Sequence, residues 1–247
     1  MNPTAAMLVI GDEILSGRTR DANMFHLAGR LTELGIDLQE VRVVSDNPDA
    51  IVRAVNDLRR AFTHVFTSGG IGPTHDDITA DCIAAAFGVG IDVREDARAI
   101  LASNYANPEK DMNAARLRMA RIPDGASLID NPVSKAPGFK LGNVHVMAGV
   151  PAVFEAMVES VLPSLTGGQP LLSSSTRIDR GEGDIAGPLA AIAARYPEAA
   201  IGSYPFQRDG KFGANIVVRT TAEDVLAKAT AEVVDLTRLP ESAPDGN

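Results

Sequence analysis

Along the first two thirds of the chain, short continuous apolar runs alternate with segments in which apolar residues recur at helical spacing. Short apolar runs rich in β-branched residues predict strands at residues 7–10, 38–44, 64–67 and 144–147. Between them, apolar residues recur every three to four positions, which predicts helices at 23–34, 51–62, 78–87 and 154–162. Strands that alternate with helices in this way predict an α/β fold, with a parallel sheet covered by helices on both faces.

The region between the third and fourth of these strands has a weaker pattern. It predicts a short strand at 91–93, helices at about 97–105 and 112–121, and a turn-rich segment at 123–138.

The last third of the chain predicts a separate small module. Residues 166–170 are typical of a linker. After it, the pattern predicts the order βαββα, with strands at 171–178, 200–204 and 214–219 and helices at 185–196 and 222–236. We therefore expect a main domain at 1–165, a small α+β module at 171–238, and a disordered tail at 239–247.

Composition and charge exclude several classes of protein. The net charge is −9 and no run of Lys or Arg forms a basic patch, so we do not expect a nucleic-acid partner. No apolar run reaches the roughly 18–20 residues that a membrane span needs. One cysteine and four scattered histidines allow neither an intrachain disulfide nor a zinc cluster. We expect a cytoplasmic protein in which Cys82 and Met157 are core residues, and His26, His64 and His145 do not act together.

Small and acidic residues follow the first three predicted strands. Gly11, Asp12 and Glu13 follow the first, Asp46 follows the second, and the segment 68–79 follows the third. In an open parallel sheet, ligands bind outside the carboxyl ends of the strands. The sequence therefore predicts that these three loops share one ligand site.

The third loop is the most informative. Its three glycines permit positive φ and close approach of a ligand to the backbone, and the start of the next helix favours an anion such as phosphate. Two adjacent carboxylates would repel phosphate unless a divalent cation lay between them. The residues that we expect to contact a substrate here are Gly69, Gly70, Ile71, Gly72, Thr74 and His75, and the expected ligands of Mg²⁺, Mn²⁺ or a similar ion are Asp46, Asp76 and Asp77.

Each of these residues also has a structural interpretation. Thr74 or Asp76 could cap the next helix, Asp12 and Glu13 could begin a solvated helix, and Asp46 could be a turn residue. Asn23 is either a cap or a ligand contact. The occurrence of the acids after neighbouring strands favours a site, in which Asp12 or Glu13 would act as general base.

Two further loops could contribute to the same site. Residues 131–139 are turn-forming, but Lys135 is a cation that could neutralise a phosphate. Gly149 precedes Pro151 at a predicted helix start, where exposed amides could bind an anion.

Two familiar nucleotide motifs do not match. The segment 11–19 has the wrong glycine spacing for a P-loop, and Arg18 stands where lysine is required. The glycines at 69–72 follow the third strand rather than the first, unlike the dinucleotide fingerprint.

Together these motifs resemble the amino-terminal domain of CinA-type competence/damage-inducible proteins, in the molybdopterin-binding MogA/MoaB-like superfamily. The resemblance covers residues 5–165. It is carried by residues 11–17, Asp21 with Asn23, Asp46, and residues 69–74 followed by Asp76, Asp77 and Thr79. The surroundings of residues 201–205 look like the KH-like module that follows this domain in CinA proteins.

The resemblance implies a three-layer α/β/α sandwich with a mostly parallel sheet. It also implies functional aspartates at Asp46 and Asp77, and divalent-metal-dependent cleavage (Mg, Mn or Co) of the pyrophosphate in ADP-ribose or a related dinucleotide. Superfamily relatives instead bind molybdopterin, adenylylate it or insert molybdenum, so molybdopterin is an alternative ligand and a non-catalytic module a further alternative. By analogy we expect a homo-oligomer, with a structural or assembly role for the KH-like module.

The sequence departs from the family pattern at two turns. Ala148 begins the turn where family members usually have proline, and Ser134 and Lys135 replace a glycine-threonine pair. These changes leave the identity of the substrate open.

Overall fold

The structure is a computed structural model that describes residues 2–208 and 210–238, with the backbone alone at Lys211. The chain divides into two compact units, Met1–Gly168 and Gln169–Asn247. The tail that we predict to be disordered, 239–247, lies outside the described residues. In the part of the chain described, no helix is both long and apolar enough to cross a bilayer.

The first unit is built on one mixed sheet. The strands of this unit are β1 (Thr4–Ile10), β2 (Asp37–Val44), β3 (His64–Ser68), β4 (Ile91–Val93), β5 (Arg121–Pro123), β6 (Ser127–Ile129), β7 (Gly138–Leu141) and β8 (Val144–Met147), and β4 and β5 lie outside the mixed sheet. The order in the sheet is β2-β1-β3-β8-β7-β6. Strands β2, β1, β3 and β8 are mutually parallel, β6 runs in the same direction, and β7 runs opposite to these five.

Helices cover both faces of this sheet. They are α1 (Asp12–Leu15), α2 (Asn23–Glu33), α3 (Pro48–Ala61), α4 (Thr79–Phe87), α5 (Glu95–Ala102), α6 (Pro108–Asp111), α7 (Ala114–Leu117) and α8 (Pro151–Val161). Side chains of α3, α4 and α5 pack with one face of β1, and those of α2 and α8 pack with the other. Both faces of β1 are buried, as is usual for a central parallel strand. The predicted three-layer α/β/α sandwich is confirmed.

The region 88–138 differs from the sequence pattern. The predicted helix at 112–121 is broken into α7 and a 3₁₀ turn, Arg118–Ala120, and α7 begins where the Asn113 side chain accepts a hydrogen bond from the amide of Arg116. The predicted turn-rich segment contains β6 and ends at β7. Strand β4 pairs with β5 in a separate two-stranded ribbon rather than joining the main sheet.

The second unit has the predicted element order. It contains β9 (Leu172–Ile178), α9 (Glu182–Arg195), β10 (Ala200–Arg208), β11 (Lys211–Thr220) and α10 (Glu223–Asp235). The strands form an antiparallel sheet in the order β10-β11-β9. Ile192, Ile216 and Val233 lie in the core between the sheet and the helices.

Candidate functional site

The carboxyl ends of the parallel strands β2, β1, β3 and β8 lie at one edge of the sheet. The loops that leave them begin at Ser45, Gly11, Gly69 and Ala148. Strand β6 runs in the same direction, because it and β8 are both antiparallel to β7, so the loop 130–137 lies at this edge too. The loops that the sequence singled out therefore share one edge.

The glycine turn, residues 69–72, is held against β1 and α4. Gly69 has a φ of +106°, and a Cβ there would lie 2.2 Å from the carbonyl oxygen of Ile10. Gly70 has a φ of +69°, and its Cβ would lie 2.1 Å from Oγ1 of Thr79. Thr79 is fully buried and closes the turn, since its hydroxyl donates to the Gly69 carbonyl (3.0 Å) and its amide to the Gly70 carbonyl (2.9 Å). Only glycine fits at both positions.

Three consecutive amides of this turn are free. Within the described residues, the N–H groups of Gly70, Ile71 and Gly72 make no hydrogen bond, whereas that of Gly69 donates to Met147. Successive unpaired amides next to positive-φ backbone form a concave donor site for anions. The free N–H donors belong to the turn and not to α4, because the first amide of α4, that of Thr79, already donates to the Gly70 carbonyl.

The capping interpretation of this loop is wrong. Helix α4 begins at Thr79, and its N-cap residue, Ile78, makes no side-chain cap bond. Thr74 instead pairs with Asp77, whose Oδ2 accepts hydrogen bonds from the Thr74 amide (2.8 Å) and hydroxyl. The side chain of His75 is fully exposed at the tip of the loop, beside Asp76.

Four acidic side chains from the loops after three strands lie near one another, and three of them act electrostatically on the fourth, Asp46. Oδ2 of Asp46 accepts a hydrogen bond from the amide of Asp12 at 2.9 Å, which fixes the end of β2 to the start of α1. Burial raises the pKa of Asp46, and the negative charges of Asp12, Glu13 and Asp76 raise that pKa further, while the hydrogen bond from Asp12 lowers it. Three of the predicted catalytic acids, Asp46, Asp12 and Glu13, thus form one electrostatic group with Asp76, a predicted metal ligand. The fourth predicted catalytic acid, Asp77, does not belong to this group.

Asp77 lies outside this group and forms its own hydrogen bonds, to Thr74. Besides its bonds to Thr74, its carboxylate lies against Gly72, where a Cβ would be 2.6 Å from Oδ2. Among the residues that the structure describes, no group of three or more Asp, Glu, His or Cys side chains is arranged to hold a metal ion. The ligand set Asp46, Asp76 and Asp77 remains a prediction.

Asn23 lies at the floor of a cleft beside the glycine turn. This Asn23 cleft is lined by Glu13, Asn23, Ser68, Gly69 and Gly149, among others. Asn23 is buried, and its Nδ2 donates to Oγ of Ser68 and to the carbonyl oxygen of Gly149, both at 2.8 Å. Its Oδ1 has no hydrogen-bond partner.

The helix-capping alternative for Asn23 is wrong. At the start of α2, the side chain of Asp21 accepts the hydrogen bond from the Met24 amide. Asn23 instead connects the ends of β3 and β8.

We expect Asn23→Ala to lower the free energy of unfolding by about 2–3 kcal/mol, because both hydrogen bonds of the buried Asn23 amide are lost and the buried Ser68 hydroxyl loses its donor. Ser68→Ala removes only one of the two acceptors and should cost about 1 kcal/mol. Urea unfolding of the two variants and wild type measures the difference. Equal losses would show that the bond to Gly149 contributes nothing.

Lys135 stands in a loop that a buried asparagine organises. Asn131 accepts hydrogen bonds from the amides of Val133 and Ser134 and donates to the Ser134 hydroxyl and the Ala136 carbonyl. Lys135 has a φ of +59°, the only positive φ outside glycine in the described chain. In that part of the chain its ammonium has no hydrogen-bond or ion-pair partner. Turn formation is thus observed, and the binding role remains a prediction.

The predicted core residues lie in the core. Cys82 and Met157 are buried, and burial, with the charge of Asp81, raises the pKa of Cys82 to about 11, so its thiol stays protonated. One expectation changes: His64 and His145 lie on neighbouring strands with ring centroids 5.7 Å apart. His145 is fully buried, whereas His64 is half-buried at the amino-terminal end of β3, the end opposite to the glycine turn.

A second pocket, which the sequence did not predict, lies on the α4 side of the glycine turn. This Arg118 pocket is lined by Gly70, Gly72, Asp77, Asp81, Arg118 and Arg121, with apolar neighbours. The two arginines belong to the segment 112–121, which the sequence pattern predicts as one continuous helix. In the sequence, the only sign of them was two arginines three residues apart, Arg118 and Arg121.

Comparison with known proteins agrees with the fold. Residues 6–167 match the family described as "Probable molybdopterin binding domain", and residues 170–243 match "FAD synthase, middle domain". A crystal structure of the protein CinA, of unknown function, from Thermoplasma acidophilum superposes with a TM-score of 0.61 at 34% identity, covering 66% of this chain and 97% of that one.

Two relatives in sequence extend the comparison. A "CinA-like protein" of Geobacter sp. (strain M21) is 38% identical over 165 residues, covering 65% of this chain and 40% of the relative. A "Probable FAD synthase" of Caenorhabditis briggsae is 31% identical over 246 residues, covering 90% of this chain and 47% of the relative. The chain spans about half the length of the FAD synthase relatives that it matches.

The fold and the strand-edge loops define an α/β protein of the MogA/MoaB-like superfamily. Within it, the chain belongs to the molybdopterin-binding domain family and is CinA-like.

Proposed function

We propose that this protein is a divalent-metal-dependent nucleotide pyrophosphatase that cleaves ADP-ribose or a related dinucleotide. One observation carries the proposal: three free amides, at Gly70, Ile71 and Gly72, lie at the same sheet edge as the carboxylates around Asp46. Amides alone would bind any anion, whereas carboxylates alone would repel an anion. Both together suit a diphosphate accompanied by a cation.

The similar proteins support nucleotide chemistry. Relatives over most of this chain are named FAD synthase, and FAD is a dinucleotide joined through a pyrophosphate. The second unit matches a domain that also takes its name from FAD synthase. A substrate with two nucleoside-like ends and a central pyrophosphate is consistent with these names.

The donor set fits a cation that binds with its substrate. Mg²⁺ commonly takes one or two carboxylates from the protein and its remaining ligands from phosphates and water. Asp46 and Asp76, whose charges interact, would hold it here. When bound, such an ion stabilises negative charge on phosphoryl oxygens and lowers the pKa of a coordinated water.

The chain's own residues do the rest. The amides of the glycine turn bind phosphoryl oxygens and orient the diphosphate for in-line displacement. Asp12 or Glu13 accepts a proton from the attacking water, as their position beside Asp46 allows. Water adds to one phosphorus as the bridging P–O bond breaks, so ADP-ribose yields AMP and ribose 5-phosphate.

Incubation of the purified chain with ADP-ribose or FAD, in Mg²⁺, Mn²⁺ or Co²⁺, tests the proposal directly. We expect AMP by chromatography with at least one of these ions and none in EDTA. Absence of AMP with every ion and both substrates would refute the proposed activity.

We expect Asp46→Asn to lower metal-dependent AMP formation about 100-fold, because the neutral amide lacks the charge with which the carboxylate would hold the cation. The Asn oxygen can still accept from the Asp12 amide, so the melting temperature should hardly change. Asp57→Asn is the matched control, since Asp57 on α3 contacts Arg42 rather than the strand-edge loops. An Asp46→Asn variant with wild-type turnover would remove Asp46 from the mechanism.

Molybdopterin binding is the second candidate function. The family description favours it, and the unpartnered Oδ1 of Asn23 is an acceptor suited to the N–H groups of a pterin. A pterin that copurifies with the chain, detected by fluorescence after oxidation, would support this ligand, with or without adenylylation chemistry. A copurified pterin, together with no AMP in the hydrolysis assay, would assign the chain as a pterin-binding protein.

A further inference from the structure

The Arg118 pocket lies on the other side of the glycine turn from the Asn23 cleft, and the proposed hydrolysis uses only the turn amides among the groups that line it. Four charged side chains face it. Arg121 donates two hydrogen bonds of 2.7 Å to the two carboxylate oxygens of Asp81, so these two residues form a bidentate, mutually neutralised pair. The charges of Arg118 and Asp77 therefore determine which ligands the pocket favours.

Arg118 has spare hydrogen-bond donors. One Nη2 proton is donated to the backbone carbonyl of Asp77 at 3.0 Å, which holds the guanidinium beside the loop that follows the glycine turn. Its Nε is buried without a partner, and within the described residues no carboxylate lies within 4.0 Å of the guanidinium. A buried N–H of a charged group is costly unless an acceptor reaches it, and an anion is the acceptor that also offsets the charge.

The free amides of the turn are a second, independent indication that the pocket binds an anion. Gly70, Ile71 and Gly72 line this pocket, and their N–H groups have no partner in the described chain. Asp77 carries the opposing charge, but its Oδ2 is occupied by the amide and hydroxyl of Thr74. An anion in the pocket would therefore be attracted by Arg118 and repelled by Asp77.

We propose that Arg118 binds a phosphate oxygen of the diphosphate ligand, on the phosphoryl group that the amides of the glycine turn hold. Arginine N–H groups form strong, directional bonds to phosphate. The identity of the ligand as a nucleotide rests on the proposed function. The binding of a diphosphate at Arg118 does not depend on its hydrolysis.

Calorimetric titration of the full chain with inorganic pyrophosphate in EDTA tests this role. Arg118→Gln can still donate to the Asp77 carbonyl but loses the charge, and we expect about tenfold weaker binding. Arg118→Lys keeps the charge and should bind within about threefold of wild type. If Arg118 only supports the loop, the glutamine variant will bind like wild type, and the inference is overturned.

Two more variants complete the test. Arg116→Gln is the matched control, because Arg116 stacks on the Tyr105 ring and contacts Asp111 outside the pocket, so its affinity should equal that of wild type. Asp77→Asn removes the repulsion and should tighten pyrophosphate binding about threefold, a result that does not require Arg118→Gln to fold.

The outcomes separate this inference from the proposed function. No binding of pyrophosphate by wild type at about 10 mM, or no tightening in Asp77→Asn, would exclude a diphosphate from the Arg118 pocket. Arg118-dependent binding without AMP formation in the metal assays would refute the hydrolysis and leave the binding role standing.

Discussion

Gly69→Ala should lower the free energy of unfolding by about 3 kcal/mol or more, equivalent to a fall in melting temperature of about 6–12 °C. Two effects add at this position. A φ of +106° is strained for any L side chain, and the added Cβ would lie 2.2 Å from a backbone oxygen of β1. Because that oxygen belongs to a buried strand, the turn itself must move, and we expect pyrophosphate binding to be lost.

Gly17→Ala separates the two effects. Gly17 also has a positive φ, +72°, but nothing lies within 4 Å of the position that its Cβ would take. This control should lose only about 1 kcal/mol. Thermal unfolding of both variants, followed by circular dichroism, gives the comparison, and similar losses would mean that the turn can shift away from β1 at little cost.

His145→Phe should remove much of the acid sensitivity of the first unit. His145 is completely buried, stacks on the Phe66 ring at 4.8 Å, and has no hydrogen-bond partner on either ring nitrogen. Burial lowers its pKa to about 3, and the charge of Lys140 adds to this effect. The folded protein therefore keeps this imidazole neutral at pH values at which the unfolded chain protonates it.

The sign follows from proton linkage. Below the ordinary histidine pKa of 6.5, the unfolded state binds a proton that the folded state does not, so stability falls as the pH drops toward the folded pKa of about 3. The slope is about 1.4 kcal/mol per pH unit, or about 3 kcal/mol by pH 4. Phenylalanine cannot titrate, and its ring can keep the stack on Phe66.

Urea unfolding between about pH 7 and pH 4 measures this difference. The variant should gain stability relative to wild type as the pH falls. His75→Gln is the control, because it removes a fully exposed imidazole, and its pH profile should follow that of wild type. Parallel profiles for His145→Phe and wild type would show that His145 titrates freely in the folded state.

The strong periodicities of the sequence were sufficient to predict the sheet and its covering helices. Strands such as β1 and helices such as α3 bury long apolar faces, and short stretches of pattern specify them. Strands β6 and β7 were missed because they have only three or four residues and lie among turn-forming residues. They form by pairing, β7 with β8 and β6 with β7, and a local sequence pattern does not show that pairing.

The candidate site was predictable to the extent that it follows strand ends. The glycine turn and Asp46 come directly after strands, so topology alone brings them to one edge. The direction of each side chain was not predictable: Asp77 bonds to Thr74 rather than joining Asp46, and Asn23 bridges two loops rather than capping a helix. Arg118 was missed because it comes from a broken helical segment far from these loops in sequence.

The single cysteine has a practical consequence for work on this chain. With Cys82 inside the core and its thiol protonated at neutral pH, thiol-reactive dyes find no native target on the folded surface. The wild-type sequence is therefore a ready background for site-specific spectroscopic labels, introduced as new cysteines beside the glycine turn without first deleting an old one.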